Sequence, residues 1–576
     1  MNAKYRSEEW FNGRDELGLQ HRSALRSMGF DADRFRGRPV IGIANSWSEL
    51  NNCNITLRSL ADSVKKGVLA AGGLPLEFPT ISLGEEFMKP TAMLYRNLMA
   101  MDIEETLRSN PIDAVVLLSN CDKTGPAQLM GAASSNLPAI QVNGGPRPAV
   151  TWRGIEIGGG TDLWKYWDEF RTGKLDEVAW RELEGCMSCS VGACNVMGTA
   201  STMGAIAEAL GVMLPGTSTI DATAPERLDA AETSGRRIVA MAEQNLRLSD
   251  ILTPAAFDNA IRVCMAIGGS TNAIIHLIAI AGRRGIRIGL DRFELLGRDT
   301  PCIANLKPSG EFLVHALHSA GGVPALMKEI EPLLNTECLT VTGKTVGSNL
   351  RDVAASNPNV IRSLANPVGQ EGAIVILRGN LAPRGAVLKV SAASPKLMQH
   401  TGKAVVFNNY ADMLARIDDP ALVVTASSVL VLRNCGPKAV PGMPEWGSIP
   451  IPLKLRKAGV TDMVRISDSR MSGTSYGTVV LHACPEAACG GALAVVRDGD
   501  EIRIDVPART VAVSLSPMEV ESRMSELPTV VQLHLRGYPR LFIDHVLQAD
   551  EGCDFDFLRP ETPEALEFIA PVVGRS

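Results

Sequence analysis

Ala114-Val115-Val116-Leu117-Leu118-Ser119-Asn120-Cys121-Asp122-Lys123 is an apolar run that ends in three chemically loaded residues. Five consecutive apolar side chains without polar alternation predict a strand buried on both faces, as in a parallel sheet. A segment of small residues, Gly131-Ala132-Ala133-Ser134, follows and predicts a helix. A sulfur, a carboxylate and an amine therefore leave the core together at one strand end. Sulfur suits iron or zinc, and carboxylate suits magnesium or calcium. The triplet points to one site with two kinds of metal centre.

The neighbouring segments extend the pattern. Val40-Ile41-Gly42-Ile43-Ala44 is an apolar run ending at Asn45, followed by a polar stretch with Cys53 and a helical pattern from Leu57. Phe78 to Leu83 reads as a second strand, ending at Gly84-Glu85-Glu86, and Leu137 to Val142 as a fourth. Apolar runs alternating with amphipathic helices predict βαβ units. Ligands bind such sheets at the carboxyl ends of the strands, and here those ends carry Cys53, Glu85 and Cys121-Asp122-Lys123. From Thr199 to about Ala281 the pattern is mostly helical.

The character changes near residue 370. Short β-branched runs recur at Ala373 to Leu377, Ala404 to Phe407, Val423-Val424, Val429 to Leu432, Met463 to Ile466 and Thr478 to Leu481. Glu501 to Val506 alternates by period two, turns at Pro507-Ala508-Arg509 and returns through Val511 and Val513, a hairpin signature. Many short strands with Gly/Pro loops favour a barrel or sandwich. The expected organisation is an α/β domain with a parallel sheet over residues 1–365 and a β-barrel-like domain over 366–576. The boundary is loose between Val341 and Gln370.

At 576 residues the chain is too long for one ordinary core. A net charge of −6 over that length argues against a general nucleic-acid or anionic-membrane surface. Met1 to Asp15 has no apolar signal region, and no apolar stretch is long enough to span a bilayer. A soluble, cytoplasmic protein is expected, so its twelve cysteines are not a disulfide framework. Cys53 and Cys121 follow strands. Cys194 lies in the small-residue loop Gly192 to Ala200 before a predicted helix, where backbone approaches a cluster closely and a helix start favours negative charge. Three thiolates from three loops would leave one iron open to act as a Lewis acid. A local zinc or cluster knuckle at Cys186-x2-Cys189-x4-Cys194 is the competing reading. Cys484 and Cys489 read as core or surface thiols, and Cys264, Cys302, Cys338, Cys435 and Cys553 have no loaded neighbours.

Several motifs occur together: Cys121-Asp122-Lys123-Thr124, Gly192-Ala193-Cys194-Asn195-x-Met197-Gly198-Thr199-Ala200-Ser201 and Gly268-Gly269-Ser270-Thr271-Asn272. Asn434-Cys435-Gly436-Pro437 to Pro441-Gly442-Met443-Pro444-Glu445 and Arg465-Ile466-Ser467-Asp468-x-Arg470-Met471-Ser472-Gly473-Thr474 join them. In these the chain resembles the iron–sulfur dehydratases that act on dihydroxy acids, phosphogluconate and sugar acids. The Cys194 loop, Pro90 to Asn97 and the tail around Gly537-Tyr538 to Leu558 are most similar to the sugar-acid branch. The resemblance implies an α/β domain, a β-barrel-like domain and a homodimer or homotetramer. It also implies a [2Fe–2S] cluster, with [4Fe–4S] as the alternative, on Cys53, Cys121 and Cys194. Two positions beside Cys53 depart from the family: Thr56 stands where a histidine is usual, and Asn52 where a proline is common.

The implied reaction removes water from a 2,3-dihydroxy acid to give a 2-keto-3-deoxy acid. By resemblance, Mg²⁺ would sit on Glu85, Asp122, Lys123 and Glu445. The register from Pro90-Thr91-Ala92-Met93 selects Glu85, with Glu86 as runner-up. An ammonium group has no acceptor, so Lys123 fits as a ligand only if carbamylated. Ser472 is the expected base, acting as an alkoxide, and His545 is an expected substrate contact from a tail that approaches a neighbouring subunit's site. The substrate partner is a small hydroxy acid. A branched-chain or promiscuous short-chain dihydroxy-acid dehydratase is the nearest alternative, kept open by Thr56. An iron–sulfur electron carrier or sensor and a zinc-stabilised binding module are readings of other classes.

Overall fold

The computed structural model describes residues 5–187, 190–527, 536–567 and 571–574. Cys189, half of the proposed knuckle, lies outside them.

Strands β1 (Val40–Asn45), β2 (Leu74–Pro79), β3 (Ala114–Ser119) and β4 (Ala139–Asn143) form a parallel sheet in the order β2-β1-β3-β4. β1, β3 and β4 are buried along their whole length, which is why they read as unbroken apolar runs. The helices Leu57–Ala70, Arg96–Ser109 and Thr124–Ser135 are the crossovers between successive strands. All four strands point the same way, so the loops that carry Cys53, Glu85 and Cys121 leave one edge of the sheet.

The second strand lies four residues earlier than Phe78–Leu83. Its two prolines hide it in the sequence. They are tolerated because β2 is an edge strand with an unpaired side. Its ladder stops at Pro79, opposite the last residue of β1.

A short hairpin, β5 (Val150–Trp152) and β6 (Ile155–Ile157), precedes the helix Thr161–Arg171. The remaining strands are β7 (Val375–Gly379), β8 (Ala382–Leu388), β9 (Gln399–Phe407), β10 (Val429–Leu432), β11 (Arg465–Ser467), β12 (Val479–Cys484), β13 (Glu501–Asp505) and β14 (Thr510–Val513). They close into a barrel in the order β10-β11-β12-β8-β7-β14-β13-β9, with β9 pairing back onto β10. The β13–β14 hairpin matches its sequence signature. Val423-Val424 is not a strand: β9 already occupies the β10 edge it would need, and Val423 is 90% exposed.

The C-terminal tail docks on the first domain. Arg283 pairs with Asp554 at 2.7 Å with both side chains fully buried, and Arg96 donates to the carbonyls of Gly552 and Cys553. Among the described residues no helix is long and apolar enough to cross a membrane.

Candidate active site

Cys121 is fixed by its neighbours before any ligand is considered. Its N–H donates to Asn54 Oδ1 at 3.0 Å, and its carbonyl accepts from Thr124 Oγ1 at 2.7 Å. Asn120 Nδ2 donates to the carbonyls of Cys53 and Gly145, at 2.7 and 2.9 Å. The loops after β1, β3 and β4 are thus stitched together by side-chain amides.

Two groups of ligand atoms result. Cys53, Glu86 and Cys121 lie with their ligand atoms within 4.8 Å of one another. Glu85, Asp122 and Glu445 form a second group by the same measure. The adjacent residues Cys121 and Asp122 join the two. Glu85 therefore sits with the carboxylates and Glu86 with the thiols. Thr91 Oγ1 donates to both Glu85 oxygens, at 2.9 and 3.2 Å, which holds that side chain in place.

Cys194 lies outside the tight thiol group, in the loop before helix Thr199–Ala209. Burial pushes its thiol up to about 12, and the charges of Cys53, Glu86 and Asp122 add to the rise. Cys121 is also raised, through its hydrogen bond with Cys53 and then burial. Such thiols stay protonated until a metal takes the proton's place.

Lys123 is fully buried in the carboxylate group. Its Nζ lies 2.9 Å from Glu85, 2.5 Å from Asp122 and 2.8 Å from Glu445. Burial alone would lower its pKa, but Asp122, Glu445 and Glu85 together hold it well above the usual lysine value. Asp122 is raised to about 6, chiefly by burial and then by Glu85 and Glu445 against the pull of Lys123. Glu445 goes the other way, to about 2, because Lys123 and Arg470 outweigh its burial. In this state the ammonium serves as counter-ion to the three carboxylates.

Glu445 comes from the barrel domain, on the loop between β10 and β11. Asp468 accepts from the N–H groups of Asn434, Cys435 and Ala487, and Glu486 from those of Lys438 and Ala439. These buried carboxylates pin the loop that ends at Glu445.

Arg470, also fully buried, donates to Glu445 Oε1 at 2.8 Å, Thr91 Oγ1 at 3.1 Å and Met443 O at 2.7 Å. Asn272 Nδ2 reaches Glu445 Oε1 at 2.9 Å, Thr199 Oγ1 at 3.1 Å and Met471 O at 3.2 Å. Arg470, Asn272 and Thr91 were given no role from sequence. Each sits in or beside a quoted motif, but its partners lie far away in the chain. Ser270 Oγ accepts from the N–H of Asn272, the first residue of the helix Asn272–Arg283, at 3.2 Å.

Ser472 lies on a turn closed by Ser475 N–H to Ser472 O. Its Oγ is 3.0 Å from Thr474 Oγ1 and 3.4 Å from the Thr474 N–H. Thr474 Oγ1 also accepts from Trp164 Nε1 at 3.3 Å. Gly160 permits this approach: with φ +86°, a Cβ there would lie 2.5 Å from Thr474 Oγ1. A cleft of about 290 Å³ opens beside Ser472 and Glu445.

His545 is not brought to this site within the chain. It is half-buried at the end of the helix Gly537–His545, 2.9 Å from Asp556 and edge-on to Phe557. Cys484 is buried against Asp550 and Cys489 is exposed.

The donor sets fit the two groups that the sequence implies. Thiols that converge from strand-end loops suit an iron–sulfur cluster, and three carboxylates suit a hard divalent ion. Among the described residues, side-chain atoms around them that are buried without a hydrogen-bond partner include Asn52 Oδ1, Thr56 Oγ1 and Asn272 Oδ1. Native proteins rarely leave such atoms unpaired, so these fit a site that holds a non-protein group. Asn52 and Thr56 are the two residues beside Cys53 that depart from the family pattern.

Two family profiles match this chain. That of the dihydroxy-acid/6-phosphogluconate dehydratase N-terminal domain spans residues 38–349, and that of the C-terminal domain spans 359–553. The chain belongs to this family of dehydratases, which are hydro-lyases. It is 52% identical to L-arabonate dehydratase of Azospirillum brasilense, over 96% of this chain and 97% of that protein. It is 50% identical to 6-deoxy-6-sulfo-D-gluconate dehydratase of Pseudomonas putida, over 97% and 98%. With dihydroxy-acid dehydratase of Methanothermobacter thermautotrophicus (strain Delta H) the identity is 40%, over 88% and 92%.

Proposed function

We propose that this protein is a cytoplasmic sugar-acid dehydratase that converts a 2,3-dihydroxy acid to a 2-keto-3-deoxy acid, and that it works as a homodimer or homotetramer. The observation that supports this most is the adjacency of a thiol group and a carboxylate group, joined through Cys121 and Asp122, with Glu445 of the carboxylate group lining the cleft of Ser472. The higher identity to the two sugar-acid dehydratases than to the dihydroxy-acid dehydratase favours the sugar-acid substrate class.

Cys53, Cys121 and Cys194 would hold a [2Fe–2S] cluster, with [4Fe–4S] as the alternative. Glu85, Asp122 and Glu445, with Lys123 as a carbamate, would hold Mg²⁺. When bound, these groups supply Lewis-acid assistance to the departing C3 hydroxyl and positive charge beside the carboxylate and C2 oxygen. Carbamylation turns Lys123 from a counter-ion into a ligand. Because the same carboxylates that would bind the cation keep the amine protonated, the two events are coupled.

Ser472 takes the C2 proton. An ordinary hydroxyl is too weak a base at neutral pH, so its alkoxide must be stabilised. Thr474 accepts from Trp164 and its hydroxyl lies 3.0 Å from Ser472 Oγ, so its O–H is free to donate to an alkoxide there, while its N–H points at the same oxygen. Arg470 and Asn272 fix Glu445, which keeps the carboxylate group aligned with Ser472.

The test is anaerobic purification with iron and sulfide quantitation, followed by turnover of a pentonate, a hexonate, glycerate and dihydroxyisovalerate in one assay. Iron and sulfide in equal amounts, with preference for a pentonate or hexonate, are expected. Preference for dihydroxyisovalerate would move the chain to the branched-chain class. Zinc without sulfide would contradict the cluster.

A further inference from the structure

The cleft beside Ser472 and Glu445 extends to Trp164, Asp168, Tyr410 and Arg456. Its far lining tells what kind of substrate tail it accepts, an inference that rests on the sugar-acid reading above.

Two cations line the cleft among the described residues, Arg456 and Arg465, and neither is free. Arg456 Nη2 pairs with Asp168 at 2.5 Å, and its Nη1 donates to the carbonyls of Val460 and Thr461 at 3.2 and 3.0 Å. Tyr476 lines the cleft beside Arg456. Arg465 Nη2 pairs with Asp462 at 2.8 Å, Nη1 donates to Ile449 O at 3.0 Å and Nε to Met463 O at 3.3 Å. Asp168 is itself held by Arg171 at 2.8 Å. The charges in this wall are spent on one another.

The rest of the wall offers ring faces and hydroxyls. Trp446 and Tyr410 stack at 4.5 Å with an interplanar angle of 14°. Aromatic faces suit the C–H faces of a sugar chain and give no charge recognition. Ser475 lines the same cleft, and its buried Oγ has no hydrogen-bond partner.

We propose that the cleft is the subsite for the distal end of the substrate and that it selects a neutral, polyhydroxylated tail against a phosphorylated or sulfonated one. An anionic tail would have to pull Arg456 from Asp168 or lie buried without a countercharge, and either costs affinity. Asp168 is then a specificity-determining residue: it neutralises the arginine that an anionic tail would need.

The experiment compares neutral pentonates and hexonates with the same acids carrying a terminal phosphate ester, using the holoenzyme. The wild type should favour the neutral member of the accepted pair by at least ~100-fold in kcat/KM, a penalty in the range expected for an unpaired buried charge. Asp168→Asn should narrow that gap by roughly 10-fold, mainly by lowering KM for the phosphate ester as Arg456 is released. Equal or better use of the phosphate ester by the wild type overturns the inference, and that measurement does not depend on the variant's folding. A well-folded Asp168→Asn with an unchanged gap overturns the role of Asp168. Turnover of neither member of any pair would instead contradict the sugar-acid reading, and this inference with it.

Discussion

The four-stranded sheet and the eight-stranded barrel both send residues into the site, but by different routes. The sheet delivers Cys53, Glu85 and Cys121-Asp122 directly, because parallel strands release their loops at one edge. The barrel delivers Glu445 and Ser472 on long loops that need separate anchors. Asp468 and Glu486 pin one with backbone hydrogen bonds, and Thr474 docks the other against Thr161 and Trp164. The sheet thus supplies most of the candidate ligand atoms, while the barrel supplies the proposed base and the last carboxylate. Damage to the sheet edge should abolish cluster binding, whereas loss of the barrel's Ser472 should leave the metals in place and impair chemistry.

The sharpest break on the sheet side is Cys121→Ser. It should leave purified protein with almost no iron or sulfide, and iron content at the wild-type level would refute the ligand assignment. On the barrel side, Ser472→Ala should keep the cluster spectrum and lose roughly 10²- to 10⁴-fold in kcat, the usual range for a proton-transfer group. Retained turnover would remove Ser472 from the mechanism.

Asn272→Ala probes the junction of the two regions, since its amide ties Glu445 to Thr199 and Met471. The expected loss is about 10- to 100-fold in Mg²⁺ affinity or activity, measured by titrating metal-depleted enzyme with Mg²⁺. Unchanged Mg²⁺ dependence would show that Glu445 needs no such support.

The smallest effect concerns the barrel anchor. Burial, and then Glu486, raises Asp468 to about 7 in the folded chain, against an ordinary aspartate value near ~4. A raised acid favours the folded state below its unfolded value and loses that contribution as pH rises through the folded one. Asp468→Asn should therefore flatten the fall in melting temperature between about pH 4 and pH 7. Parallel melting curves for the two proteins would contradict the assignment.

The same contrast explains what the sequence makes legible. β1, β3 and β4 can be read directly, because a strand buried on both faces has to be apolar throughout. β2 is displaced in the sequence reading because an edge strand tolerates the prolines that normally exclude one. Cys53, Cys121 and Glu85 become candidates from their place after strands. Glu445 and Ser472 carry no local signal of that kind and emerge only through motif resemblance. Arg470 and Asn272 escape altogether, since what gives them a role is burial against Glu445, and sequence spacing does not encode that. The paired state of Arg456 and Arg465 is likewise invisible in a count of basic residues.

The most direct test of the central claim, that thiol and carboxylate groups act on one substrate, is the cluster spectrum of Ser472→Ala with Mg²⁺ present. Adding a sugar acid that the wild type consumes should shift the cluster's absorption and circular dichroism bands without turnover. A spectrum that stays unchanged at saturating substrate would mean that the cluster does not meet the substrate, and the proposed division of labour would be wrong.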